Sequence, residues 1–185
     1  MTPQHFQAET QRKAKELENY IVNVFPQRAG KIALRFIDGN FRAQGWQGQR
    51  FSLWKPNKRN GTILVDKGRL RRSIHFRTAP GQVSVFSNSP YAAVHNRGFN
   101  GTVTVKEHTR YKYVAQKIGT GRFNKSGTER LKTIHTVASS SDVSSHTRKM
   151  NIEKRQFMPE GQNGSPVFAN AIRREIVREI KQIFK

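Results

Sequence analysis

The chain has 185 residues and a formal net charge of +22, from 34 Lys and Arg against 12 Asp and Glu, with 35% hydrophobic residues and no cysteine. That length suits one domain, or one domain with an appendage, and the missing cysteine excludes disulfides, thiolate zinc sites and a cysteine nucleophile and fits folding in a reducing cytoplasm. No apolar run reaches the roughly eighteen residues of a transmembrane helix, so no membrane is expected, and the start, Met1-Thr2-Pro3-Gln4-His5, lacks the charged-then-apolar plan of a signal peptide.

In chain order, Thr2-Pro3 reads as an N-cap followed by the first helical position. A helix follows and should stop near Phe25, because Pro26 disfavours helical geometry in the residue before it. Leu17, Ile21 and Val24 hold i, i+4, i+7 spacing, so its second half is the better-buried part. Its first half, rich in Gln, Lys and Glu, lies on the surface or reaches a neighbour. Residues 28–42 again show helical spacing in Ala29, Ile32, Ala33, Phe36, Ile37 and Phe41, with Asp38-Gly39-Asn40 as a weak point. Residues 43–62 read as a loop, in which Trp46 and Trp54 pin the chain to the core; the competing role is stacking on a base.

Asp66 is placed to cap a short turn kept tight by Gly68. Ile74 and Phe76 then alternate with His75 and Arg77, and Val83, Val85 and Ser87 with Gln82, Ser84 and Phe86, around a Pro80-Gly81 turn. Ser89-Pro90 repeats the cap logic for a short helix that Gly98 ends. Val103, Val105, Tyr111, Tyr113 and Ala115 predict one or two strands over 101–116. Residues 117–130, rich in Gly, Lys, Ser, Thr and Arg, read as a mobile tip. Val105-Lys106-Glu107-His108-Thr109-Arg110 is echoed by Val143-Ser144-Ser145-His146-Thr147-Arg148. The echo suggests paired strands at the base of a long β-hairpin arm. Gly161, Asn163 and Gly164 lead into a last helix capped by Ser165-Pro166, with Phe168, Ile172, Ile176, Ile180 and Ile183 as its apolar stripe.

The fold class read from these elements is α+β. An antiparallel sheet centred on the hairpin Ser73–Asn88 is packed against N-terminal and C-terminal helices, the latter through Phe168, Ile172, Ile176 and Ile180. Residues 1–100 and 152–185 form the compact domain. Residues 101–151 form the extended arm with its flexible basic tip.

Chemistry is sparse. The histidines form no H-x-x-x-H pair, and no carboxylate sits at ligand spacing, so no metal and no cofactor is expected. His108 and His146 would meet only if the arm strands pair in that register. Ser73 has His75 nearby in sequence but no orienting acid. Acidic clusters for nuclease work and a phosphate-binding glycine loop are both missing. These readings predict a non-enzymatic protein. The charge predicts contact with phosphate or with acidic protein, and the basic residues run along the whole chain rather than in one recognition helix. Lys55, Lys58, Arg59, Arg69, Arg71 and Arg72 are the candidates for contact with DNA or an acidic partner. His108, Arg110, Tyr111, Tyr113, Arg122, Lys125, His146 and Arg148 are the candidates for an assembly interface on the arm.

The run Ile63-Leu64-Val65-Asp66-Lys67-Gly68-Arg69-Leu70-Arg71-Arg72-Ser73-Ile74, followed by Tyr91-Ala92-Ala93-Val94-His95-Asn96-Arg97-Gly98, resembles the phage virion morphogenesis family, the Mu-type tail completion or head–tail joining proteins. Trp46 and Trp54 stand where that family has a tryptophan-containing loop. Arg155-Gln156-Phe157-Met158 stands in place of its Arg-Pro-Phe element, without the proline. The resemblance covers residues 28–99 and 152–185. It implies structural roles for Trp46, Trp54, Gly68, Leu70, Ser73, Tyr91, His95, Gly98, Arg155 and Phe157. It further implies a virion protein, made in the host cytoplasm and placed at the neck between head and tail. There it would form a homo-oligomeric ring, a hexamer, around the DNA path. Its partners would be the connector or adaptor, the tail terminator and the tail tube, with non-specific contact to genomic DNA. The competing reading is a stand-alone nucleic-acid-binding protein, with Trp46, Trp54, Phe99 and Tyr111 stacking on single strands. Weak binding, steeply lost with salt and without sequence preference, separates an assembly protein from it.

Overall fold

A computed structural model describes residues 2–57, 61–161 and 164–185. The chain divides into two compact units, Met1–Phe99 with Asn151–Lys185, and Asn100–Met150. We call the first the body and the second the arm. The fold is α+β, as the periodicities indicated.

The body begins with α1 (Pro3–Asn19), where the Thr2 hydroxyl accepts a bond from His5 N. The expected stop before Pro26 is instead a π-helical stretch, Tyr20–Val24, running directly into α2 (Phe25–Ala43). Pro26 has no N–H for the carbonyl four residues back, which is Val22. That carbonyl accepts from Gly81 N at 2.9 Å instead, so the hairpin turn supplies the donor the proline lacks. A widened turn plus a tertiary bond thus carries the helix past the proline. The run Asp38-Gly39-Asn40 does not break α2, because Asn40 is fully buried with both ends of its amide bonded.

The expected loop after α2 contains a small hairpin, β1 (Gly45–Gln47) with β2 (Phe51–Leu53). Gly68, at φ +70, starts α3 (Arg69–Arg72), and no side chain caps it, so the anticipated Asp66 cap does not form. β3 (Ile74–Ala79) and β4 (Gln82–Ser87) pair antiparallel in the register Ile74↔Ser87 to Ala79↔Gln82. Ile74, Phe76 and Thr78 face inward as the period-two pattern requires. α4 (Ala92–Arg97) begins two residues later than Ser89-Pro90 suggested. The backbone carbonyl of Ser89, not its hydroxyl, accepts from Ala92 N.

The hairpin β3–β4 is a two-stranded sheet of its own rather than the centre of a larger one. It rests on α2, where Gly30 lets the Phe76 ring come so close that a Cβ would sit 2.3 Å from it. The last helix, α5 (Pro166–Ile183), capped by Ser165 as expected, lies against α2 and α1 rather than over that hairpin. Phe168 meets Phe36 at 5.3 Å between rings, and Arg28 of α2 bridges Glu175 and Glu179 at 2.9 and 2.6 Å. Ile180 is exposed while Ile183 is buried. The core is Phe36, Ile37, Phe41, Trp54, Leu70, Ile74, Ala92 and Phe157.

The arm contains β5 (Phe99–Val105) paired with β8 (His146–Ile152), and β6 (His108–Phe123) paired with β7 (Glu129–Val143). The echoed sequence marks a joint. His108 pairs with Val143, so the two-residue gaps Lys106-Glu107 and Ser144-Ser145 interrupt the ribbon at one level. Each histidine Nδ1 lies 3.0 Å from the carbonyl two residues before it, Lys106 O or Ser144 O. The pairing continues past residue 116 to Phe123↔Glu129, leaving a turn at 124–128. Bonds that extend it include Thr120 Oγ1 to Arg130 O, Gly121 N to Glu129 Oε1, Arg130 Nε to Asn124 Oδ1 and Asn124 N to Thr128 O. Ala138 is an extra residue between Lys112↔Ser139 and Tyr113↔Val137, a β-bulge.

Candidate assembly sites

In the body, Arg155–Met158 crosses the core as an extended segment without a strand partner, so its peptide groups need other partners. Side chains supply them. Asn96 Oδ1 accepts from both Phe157 N and Met158 N at 2.9 Å, Asn40 Nδ2 donates to Phe157 O at 3.1 Å, and Trp54 Nε1 donates to Gln156 O at 2.9 Å. Arg155 N donates to His95 O, and the Arg155 guanidinium donates to Lys55 O. The Phe157 ring, fully buried, meets Phe41 at 5.2 Å, and Phe41 meets Trp54 edge-on at 5.7 Å. Trp46 packs edge-on against Phe36. Both tryptophans are therefore anchors of the body.

The other motif residues gather around the same segment. Leu70 lies in the core, and the Ser73 hydroxyl is shared with Leu70 O and the Ser87 hydroxyl. Ser73 thus has no histidine partner. Gly98, at φ +79, lies so near Ile152 O and Lys154 N that a Cβ would come within 3.2 Å of both. Neither Asn40 nor Asn96 was a candidate functional residue in the sequence, where Asn40 read only as part of a weak point in its helix. Their one local signal is a short polar amide on an otherwise apolar helix face.

A cavity of about 860 Å³ opens beside this segment, lined by Ile63, Leu64, Arg69, Tyr91, His95 and Arg155 among others. Leu64 has φ +58, a strained value for a leucine. Tyr91 stands edge-on to His95 at 6.1 Å. Burial, and then the Arg155 charge, push the His95 pKa below its ordinary 6.5. Its folded form therefore stays neutral where the unfolded chain takes up a proton. Stability should fall as pH drops below about 6.5, and not above it. Melting curves between about pH 7 and 5 check this: His95→Gln should flatten the slope relative to wild type, and an unchanged slope contradicts it. Glu160, whose pKa Arg97 lowers, contributes only in the more acidic carboxylate range.

Among the described residues, the basic candidates of the body do not form one free patch. Lys55 pairs with Glu153 at 2.6 Å, Arg71 pairs with Asp38 at 2.5 Å, and the Arg72 guanidinium donates to Lys67 O. Arg69 lines the cavity. Lys58 and Arg59 lie outside the described residues.

The arm presents its candidates differently. His108, Arg110, Tyr111, Tyr113, Arg122, Lys125, His146 and Arg148 are all exposed. His108 and His146 do not face each other, since His108 lies opposite Val143. Among the described residues no group of three or more His, Asp or Glu side chains could hold a metal, and no helix is long and apolar enough to cross a membrane.

The sequence model of the phage virion morphogenesis family matches residues 38–176, from within α2 through the arm into α5. No curated protein and no solved structure matches the chain.

Proposed function

The chain belongs to the phage virion morphogenesis family, and from that membership we propose that it is a structural tail completion or head–tail joining protein, without catalysis of its own. It assembles as a ring, a hexamer, at the neck, and contacts the connector or adaptor, the tail terminator and the tail tube. A ring needs heterologous interfaces, in which one face of a copy binds a different face of the next. The observation that carries this reading is the arm. Its long strands β6 and β7 form a sheet of two strands, and Tyr111, Tyr113, Phe123, Leu131 and Val137 are each more than half exposed. A two-stranded ribbon alone is marginal in water, and contiguous exposed apolar groups mark interaction surfaces. The arm therefore reaches a neighbouring copy. α1, which buries no residue of its own, is the second element available for that role.

A density map of the intact particle tests the proposal. The chain is expected as a closed ring between head and tail, with each arm on an adjacent copy. Its location elsewhere in the particle, or its absence from it, contradicts the reading.

A further inference from the structure

We propose that the arm is a binding ribbon for duplex DNA, read through its phosphates without sequence preference. This goes beyond an assembly role and stands whether or not the chain forms a ring.

Charges find their partners unevenly along the chain. Among the described residues every ion pair lies in the body, where Arg28, Arg42, Lys55, Arg71, Arg97 and Arg178 each hold a carboxylate. The arm has none. Its only acids are Glu107, Glu129 and Asp142. Glu129 accepts from Gly121 N, and Asp142 accepts from the Thr109 hydroxyl. The register then keeps the cations unmatched. Arg110 lies opposite Ser141, Lys112 opposite Ser139, Lys117 opposite Thr133 and Lys132 opposite Ile118. Opposite charges across a ladder stabilise it, yet no such pair is used. The short serines also leave the two cations beside them uncovered.

The shape selects the kind of anion. The cations run the length of β6 at Arg110, Lys112, Lys117 and Arg122, pass through the tip at Lys125 and return on β7 at Arg130 and Lys132, rather than forming one patch. A strand of this length spans about 50 Å, longer than the ~34 Å of one duplex turn. Two strands about 4.8 Å apart fit a major groove about 12 Å wide, which admits a two-stranded ribbon.

The test uses the full chain and a mixed-sequence duplex of about 30 base pairs, followed by fluorescence anisotropy across salt concentrations. One variant combines Arg110→Gln, Lys112→Gln, Lys117→Gln and Lys132→Gln. A control removes equal charge from exposed body positions by Lys31→Gln, Arg35→Gln, Arg173→Gln and Arg174→Gln. Wild type should bind with a steep salt dependence. The arm variant should lose at least about ten-fold in affinity near physiological salt, and its log–log salt slope should fall by about three to four. The control should stay close to wild type. A chain in which residues 113–138 are replaced by an Asn-Gly turn joining Lys112 to Ser139 should show a comparable loss, which guards against misfolding of the first variant. Four results overturn the proposal: equal losses in arm variant and control, no binding by wild type at low salt, equal competition by polyglutamate, or arm-dependent self-association with DNA binding intact.

Discussion

Phe157→Ala should destabilise the body by about 3–5 kcal/mol, the range for removing a fully buried aromatic ring. No part of Phe157 is exposed, and its ring lies against Phe41, which in turn meets Trp54. The loss should not stop at a cavity. The segment carrying Phe157 is held by Asn40, Asn96 and Trp54 through its peptide groups. If the ring no longer fills its site, those buried amides lose the partners placed for them, and each unsatisfied group costs about 1–3 kcal/mol. A domain has about 5–15 kcal/mol in total, so a large part of its stability is at stake. With about 2–4 °C per kcal/mol for a chain of this size, the melting temperature should fall by roughly 10 °C or more. Phe123→Ala, on an exposed ring at the end of β6, serves as control and should leave it unchanged. Equal melting temperatures for Phe157→Ala and wild type would contradict this account of the core.

What the sequence made legible was local. Thr2 and Ser165 cap helices because an oxygen three residues before a free N–H needs no tertiary context. The hairpin β3–β4 follows from alternation over six residues on each side of Pro80-Gly81. Trp54 is the anchor that an aromatic in a polar loop suggested. The features that escaped are long-range. The helix passes Pro26 because Gly81, from the hairpin turn, bonds the carbonyl the proline strands. Asn40, read as a weak point in α2, is instead where the core holds Phe157 O. Asp66 and Ser89 carry the right side chains for capping, but Gly68 and Tyr91 occupy the cap positions. The stripe on α5 was visible, though not that Glu175 and Glu179 belong to its inward face through Arg28. On the arm, the V-x-x-H-T-R echo pointed to paired strands. Its meaning as a joint depends on a register that residue types alone do not fix.

The second large effect concerns that arm. Deleting residues 117–130 should leave the melting temperature of the isolated chain unchanged and abolish head–tail joining. The first half follows from burial: nearly all of the removed residues are exposed, and the side-chain bonds of Thr120, Glu129 and Arg130 stay within the ribbon. The shortened ribbon can close, because Gln116 already pairs with Ile134, so Leu131, Lys132 and Thr133 become a three-residue hairpin loop. The second half follows from what is lost outside the chain. Lys117, Arg122, Lys125 and Arg130 go, together with Ile118 and Phe123, and with them the far part of the surface proposed to meet a neighbour. Lower salt separates two kinds of contact. Joining partly restored at low ionic strength would indicate that the remaining cations act through a screened electrostatic contact, whereas loss at all salt concentrations indicates that the apolar groups are needed too.

The most direct measurement is the yield of complete particles in cells that supply only the deleted chain, with heads and tails counted separately by electron microscopy. The account predicts heads and tails that remain unjoined, alongside deleted protein that is folded and present at wild-type levels. Complete particles at the wild-type yield would show that the arm carries no assembly contact.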